Sequence, residues 1–264
     1  VRIDGSTVLL TGASGGLGQA IARELHARGA ALRLVGRRHD LLDGLASELE
    51  RARPLVADLS DAVAVAQLAD QVGEADILVA NAGIPAAGRL ESFTPQEIDR
   101  TLDVNLRSGI VLARALLPGM IERRRGHLLF MSSIAGKTTV PGDCLYHATK
   151  YGLRGFAAGL REDLHRSGVG VSCVFPGFIR DAGIFADSSV KLPPGVGTRS
   201  PQDVARGVAR AIESDVGEVD VASVAQRAGM FFSAVAPGLS ARAVRRLGGR
   251  EIARQMDVAL RDKR

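Results

Sequence analysis

The stretch T-G-A-S-G-G-L-G, residues 11–18, decides how this chain folds. It follows a short apolar run, Val8–Thr11, and opens a segment, Leu17–Arg28, whose apolar residues recur at helical spacing. Glycines at 12, 16 and 18 let the backbone turn sharply and approach a ligand closely. The helix that starts there aims unpaired N–H groups and a partial positive charge at an anion such as a pyrophosphate. A P-loop would need Gly-Lys-Ser/Thr at the end of the stretch, and no lysine stands there. The plainer alternative is a structural strand-to-helix turn, and the position of the stretch on the first strand–helix unit speaks against it.

Outward from this turn the chain alternates apolar runs with longer amphipathic segments. Val8–Thr11, Leu32–Val35, Leu55–Ala57, Ile77–Ala80, Leu128–Met131, Val169–Phe175 and Glu218–Val221 read as strands. Between them, Leu17–Arg28, Asp40–Glu50, Pro95–Met120 and Cys144–Ser167 read as helices. Such alternation predicts an α/β fold, a doubly wound parallel sheet of about seven strands with helices on both faces. Runs such as I-L-V-A and L-L-F-M, apolar throughout, suit strands buried on both sides. Thr94-Pro95-Gln96-Glu97 offers a cap, a first-turn proline and a reciprocal glutamate, and Ser200-Pro201-Gln202-Asp203 repeats the device.

The chain has 264 residues, 46% apolar and 24% charged, as an ordinary globular protein does. No apolar run approaches the ~20 residues of a membrane span, and the chain enters a strand-like pattern so early that no secretory leader is expected. Two cysteines, Cys144 and Cys173, make neither a disulfide framework nor a metal cluster, so a reducing cytoplasm is the expected compartment. The net charge of +5 sits wholly in residues 241–264, where eight basic side chains face three acidic ones. The division expected is therefore a body, 1–222, and an apolar and basic helical tail, 223–264.

The end of the second strand separates NAD from NADP. An acid is expected there for a ribose 2′-hydroxyl, but the stretch reads L-V-G-R-R-H-D with Gly36 in that place. Asp40 lies four residues past the strand and reads as a cap for the next helix. Arg37 and Arg38 offer guanidinium groups to a 2′-phosphate. NADP(H) is favoured over NAD(H), with a solvated basic turn as the plain alternative.

These residues resemble the short-chain dehydrogenase/reductase family in its single-domain branch. The likeness runs from Ser6 to about Val221 and is carried by T-G-A-S-G-G-L-G, A-D-L-S with Asp58, A-N-A-G (80–83), Asn105 in D-V-N-L, S-S-I-A-G (132–136), Y-H-A-T-K (146–150) and P-G-F-I (176–179). It implies a Rossmann-like fold and hydride transfer between a nicotinamide and a carbonyl or alcohol carbon. It also implies a cofactor site of Gly12, Ser14, Gly16, Leu17, Gly18, Asp58, Leu59, Asn81, Ala82, Gly83, Tyr146, Lys150, Pro176, Gly177 and Ile179, beside Arg37 and Arg38. Tyr146 would be the general acid or base, Ser133 (rather than Ser132) the residue that holds the substrate oxygen, and Asn105 the holder of a water that links Lys150 to solvent. A phenol titrates near pH ~10, and bringing it to ~7 takes about 4 kcal/mol. Lys150, one helical turn from Tyr146, together with an oxidised nicotinamide, is the expected source. His147 points ~100° away from Tyr146 on a helix and reads as structural or substrate-lining. Cys144 reads as a packed small hydrophobe.

The sequence departs from the family pattern after Pro176-Gly177, where Arg180 and Asp181 stand near the usual threonine. The residues that follow, about 181–200, read as a substrate lid, with Phe178, Ile184 and Phe185 pointing to an apolar carbonyl or alcohol. For the tail three readings stand: docking on its own body or a second subunit, lying on an anionic membrane surface or over a lipid-like substrate, and nucleic-acid binding. The last has least support, because the basic patch lacks interleaved aromatics. Homodimers or homotetramers are implied by the resemblance alone. A dinucleotide sensor without catalysis is the alternative function, though its natural mark, loss of Tyr146 and its partners, is absent.

Overall fold

The computed structural model describes residues 1–188, 190, 192, 195–246 and 248–263. Seven strands carry the frame: β1 (Thr7–Thr11), β2 (Ala31–Gly36), β3 (Ala52–Val56), β4 (Ile77–Ala80), β5 (Gly126–Met131), β6 (Val169–Pro176) and β7 (Glu218–Val221). All pairings are parallel, in the order β3-β2-β1-β4-β5-β6-β7. The winding direction reverses between β1 and β4, and the crevice outside the carboxyl ends of those two strands is where such a sheet binds ligands.

Successive strand residues point to opposite faces, so each strand feeds two cores. Val8, Leu10, Leu34 and Val79 face α1 (Gly16–Ala27), α2 (His39–Glu48) and, further along the chain, α8 (Pro201–Glu213). Leu9, Val35, Leu78 and Phe130 face α3 (Ala62–Val72), α5 (Ser108–Glu122) and α6 (Cys144–Asp163). Phe130 meets Phe156 of α6 edge to face at 5.3 Å between ring centroids.

Three local readings are corrected. The third strand is Ala52–Val56, not Leu55–Ala57. It is an edge strand, which tolerates Arg53 and Pro54. The helix expected as one piece over 95–120 is α4 (Pro95–Leu102), a π turn (Asp103–Arg107) and then α5. Asp40 does not cap α2: the N-cap is Arg38, with no side-chain hydrogen bond, and Asp40 lies inside the first turn. The other caps form as read, at Thr94 with Glu97 and at Ser200 with Asp203. The span from Pro95 to Glu122 is, by length and composition, the one helical stretch among the described residues apolar enough to cross a bilayer. Its Leu112, Ala113, Leu116 and Met120 are core residues packed on the sheet.

The expected lid holds a short helix, α7 (Gly183–Ser188), while its residues 189, 191, 193 and 194 lie outside the described residues. The tail forms α9 (Val224–Val235), α10 (Pro237–Arg246) and α11 (Gly249–Leu260); its residues 247 and 264 lie outside the described residues. Its root is knitted to the body. Ser223 Oγ donates to the Val196 carbonyl, Gln226 Nε2 donates to the Gly197 carbonyl at 2.9 Å, and the same Gln226 side chain fills the space beside Gly177. From there α10 packs on α11, and α11 returns to lie on α7. The tail docks on its own body.

Candidate active site

The glycine turn is built to hold an anion. Gly12 takes a positive φ of 67°, and a Cβ there would come within 2.9 Å of Ala82 Cα. A Cβ on Gly18 would run into the Gly12 carbonyl, and one on Gly16 would stand 2.6 Å from Ala182 Cβ. Helix α1 starts from Gly15 with no side-chain cap and no acid in its first turn, which leaves its leading N–H groups to a ligand. Asn81 braces the turn from β4: its Nδ2 donates to the Thr11 carbonyl at 3.0 Å, and Thr11 Oγ1 accepts from the N–H groups of Asn81 and Ala82. The cradle therefore fits a pyrophosphate on the chemistry of its own groups.

Beyond the cradle, a cavity of about 580 Å³ runs along the carboxyl ends of the strands. Ser14, Leu17, Arg37, Arg38, Asp58, Leu59, Gly83, Pro176, Gly177 and Ile179 line it with the glycines, as do Ser133, Tyr146 and Lys150. Arg38 donates to the Ser14 carbonyl at 2.7 Å, and Arg37 stands 3.8 Å from Asp58. Burial raises the Asp58 carboxyl, but the Ser60 N–H and hydroxyl, with Arg37, outweigh it and hold the group below its ordinary value.

Ser133 and Ser132 point in different directions. Ser132 is buried and donates to the Lys150 carbonyl at 2.9 Å, fastening α6 to β5. Ser133 faces the cavity beside Tyr146, and its Oγ accepts from the Ala135 N–H at 3.2 Å. Lys150 is 3% exposed; its Nζ donates to the Met131 carbonyl at 2.9 Å and lies 5.5 Å from the Tyr146 ring centroid. Burial brings the ammonium down to about 8.

The lowering expected of the Tyr146 phenol counts on an oxidised nicotinamide as well as Lys150, and the protein's own groups act in the other direction. Burial, then the nearby Asp143 carboxylate, push Tyr146 above its ordinary value, and only the neighbouring Ser133 hydroxyl pulls the other way. Lys150 is turned toward Met131 and does not offset the burial. The protein by itself thus holds Tyr146 as a proton donor.

Asn105 does not line the cavity but sits behind it, 2% exposed in the π turn. Its side chain accepts from the Ile84 N–H at 2.7 Å and donates to the Ile84 carbonyl at 2.9 Å. A Cβ on Gly83 would stand 3.5 Å from Asn105 Oδ1 and 3.6 Å from Lys150 Nζ, which places both groups around that glycine. His147 is structural. Nδ1 donates to the Ala135 carbonyl at 2.8 Å and Nε2 accepts from the Val140 N–H at 3.0 Å, which sets its neutral tautomer. Cys144, expected to be packed, is exposed at the start of α6, outside the cavity lining. Arg180 and Asp181 pair at 3.5 Å outside the lining.

A family profile described as short chain dehydrogenase matches residues 6–190. The chain belongs to the short-chain dehydrogenase/reductase family. It is 36% identical over 227 residues to the "Ketoacyl reductase HetN" of Nostoc sp., covering 83% of this chain and 79% of that one. Among solved structures, a short-chain dehydrogenase from Sphingobium yanoikuyae in complex with NADPH superposes with a TM-score of 0.77 at 27% identity, covering 89% and 95% of the two chains. A 3-oxoacyl-[acyl-carrier protein] reductase from Brucella melitensis with bound NAD gives 0.73 at 34% identity, covering 83% and 90%.

Within this family frame, three features escaped the sequence. Asp143 lines the cavity beside Tyr146, and burial raises its carboxyl well above the ordinary value. Its spacing of three from Tyr146 was the available signal. Lys137 pairs with Asp220 at 2.6 Å and Glu218 at 2.8 Å over the Phe175 ring, tying the turn after Ser133 to β7. Ile252, Ala253 and Met256 of α11 line the same cavity as Tyr146, which no local pattern announces.

Proposed function

We propose that this short-chain dehydrogenase/reductase is an NADP(H)-dependent carbonyl reductase, with Tyr146 as its general acid. The observation that carries the reading is that Ser133, Tyr146 and buried Lys150 line one cavity with the glycine cradle. When bound, the nicotinamide supplies the hydride. Ser133 Oγ holds the substrate carbonyl oxygen, and Tyr146 gives its phenolic proton to that oxygen as it becomes an alkoxide, leaving an alcohol. Lys150, whose Nζ lies 5.5 Å from the Tyr146 ring centroid, would have to swing from the Met131 carbonyl to stabilise the phenolate left behind, and Asn105 holds the backbone that shapes this corner. Oxidation of an alcohol is the reverse, with Tyr146 as the base.

NADP(H) over NAD(H) is supported by the end of β2. A Cβ on Gly36 would come 2.9 Å from Ser14 Oγ and 3.4 Å from Leu42 Cδ2, leaving little room for an acid, while Arg37 and Arg38 line the cavity next to it. The Sphingobium neighbour carries NADPH and the Brucella neighbour NAD, so the arginines bear the argument. The test follows NADPH oxidation over a panel of ketones, comparing the parent with Tyr146→Phe. Turnover by the parent, lost in the variant with cofactor affinity kept, is expected. Equal turnover by both removes the role of Tyr146, and cofactor binding with no turnover of any carbonyl turns the reading toward a sensor.

A second reading concerns the tail surface. Val224, Phe231 and Val235 lie on one face of α9 and are 80%, 73% and 68% exposed, and Leu239 of α10 is exposed as well. From Ser223 to Arg250 there are five arginines and no acid. Apolar side chains flanked by arginines suit an anionic lipid surface, and this supports peripheral membrane contact.

A further inference from the structure

The tail helix α11 is two-faced. Ile252, Ala253, Met256 and Leu260 fall on one side at helical spacing, with Ala253 9% and Leu260 1% exposed. Arg250, Glu251, Arg254 and Gln255 cover the other side, where Arg254 pairs with Glu251 at 2.7 Å. The apolar side is turned onto the catalytic half of the cavity. Ile252, Ala253 and Met256 line it, and a Cβ added to Gly142 would stand 3.2 Å from Ala253 Cβ, in the loop that leads into Tyr146. Across from them stand Phe178, Ile184 and Phe185 of the lid segment, the two phenylalanines 4.9 Å apart between ring centroids. Asp143 brings a carboxyl to these walls, while the other described lining carboxyl, Asp58, stands beside Arg37 in the cofactor half. The other polar groups beyond the Ser133–Tyr146 pair, Thr138 and His147, are spent on backbone partners.

We propose that α11 and the lid together form a subsite for an extended apolar chain attached to the reacting carbonyl, with Ala253 and Met256 setting how long a chain fits. This rests on the reductase reading above, because a carbonyl seated at Ser133 and Tyr146 has this apolar space beside it for its remainder. Such a subsite makes chain length a measurable variable: each methylene moved from water into the chamber is worth about a fourfold gain in kcat/KM.

The experiment uses the full chain, NADPH and a series of methyl ketones from 2-butanone to 2-undecanone, with NADPH oxidation as the readout. kcat/KM is expected to climb about fourfold per methylene until the chamber is full. Ala253→Trp, which places an indole in the chamber, should flatten the climb and lower kcat/KM for the longest ketone at least tenfold. NADPH affinity reports whether that variant is folded. Met256→Gln, close in volume and polar, provides a second route to the same wall and should also flatten the series. Arg254→Ala, on the outward side, should follow the parent. A flat series in the parent, or folded Ala253→Trp and Met256→Gln proteins with the parental climb, overturns the subsite. Turnover with a flat series leaves the reductase reading standing. No turnover of any ketone by a protein that binds NADPH removes that reading and the subsite with it.

Discussion

His127 offers a test of the fold that supports the site. It lies on β5, the strand that delivers Ser132 and Ser133, and is 0% exposed. Its Nε2 is 2.9 Å from Ser172 Oγ, which donates onward to the Val216 carbonyl at 2.7 Å, so Nε2 carries the proton. Nδ1 has no hydrogen-bond partner and is packed beside Gly170, where a Cβ would come within 2.5 Å. A second proton on this ring would be buried without an acceptor. Burial accordingly lowers His127 from 6.5 to about 4, with Asp215 pulling weakly the other way. In the unfolded chain the ring takes its proton near 6.5, so the unfolded state binds more protons between pH 6.5 and about 4. The stability His127 contributes is complete above pH 6.5 and is lost as the pH falls toward about 4. At about pH 4.5 that loss comes to roughly 2.5 kcal/mol. The assay is urea unfolding of the parent and of His127→Leu at about pH 7.5 and pH 4.5. The parent should lose roughly 2–3 kcal/mol more than the variant across that interval, since leucine has nothing to titrate. A difference below about 1 kcal/mol would refute the buried, neutral ring.

Three other outcomes are expected. Asp143→Asn removes the carboxylate that helps hold the Tyr146 proton, so the alkaline limb of kcat/KM for ketone reduction should move to lower pH; an unmoved limb means that Asp143 does not act on the phenol. Arg37→Ala should weaken NADPH by about tenfold and leave NADH unchanged, the lower end of a charge-assisted bond because the side chain is 54% exposed. Equal loss for both cofactors, by fluorescence titration, would remove the 2′-phosphate contact. The parent should co-sediment with vesicles rich in anionic phospholipid and less so at high salt, while the double variant Phe231→Ser, Val235→Ser should stay in the supernatant. No sedimentation by the parent ends the membrane reading.

Much of the frame was legible because parallel strands buried on both faces must be apolar throughout, as Ile77–Ala80 is, and because glycine turns and capping boxes act locally. β3 was read short because an edge strand is half solvated and hides its pattern behind Arg53 and Pro54. The π turn at Asn105 was invisible, since one widened turn barely disturbs helical periodicity over 95–120. In the site, Ser133, Tyr146 and Lys150 were legible through the likeness of their motifs to the family pattern, and the fold brings the three to one cavity. What depended on folding was the direction of the Tyr146 shift, which burial decides, and the destination of α11, which is set by packing against α7 more than fifty residues away.

The way the tail is rooted has a practical side. Gln226 is wedged against Gly177 and bonded to Gly197, and Ala253 of α11 lies over Gly142 in the loop before Tyr146, so residues 223–260 touch the body at both ends. Exchanging that segment between relatives is a means to retune which molecules are accepted, provided that the side chain at 226 still fills the space beside Gly177 in the cofactor cavity.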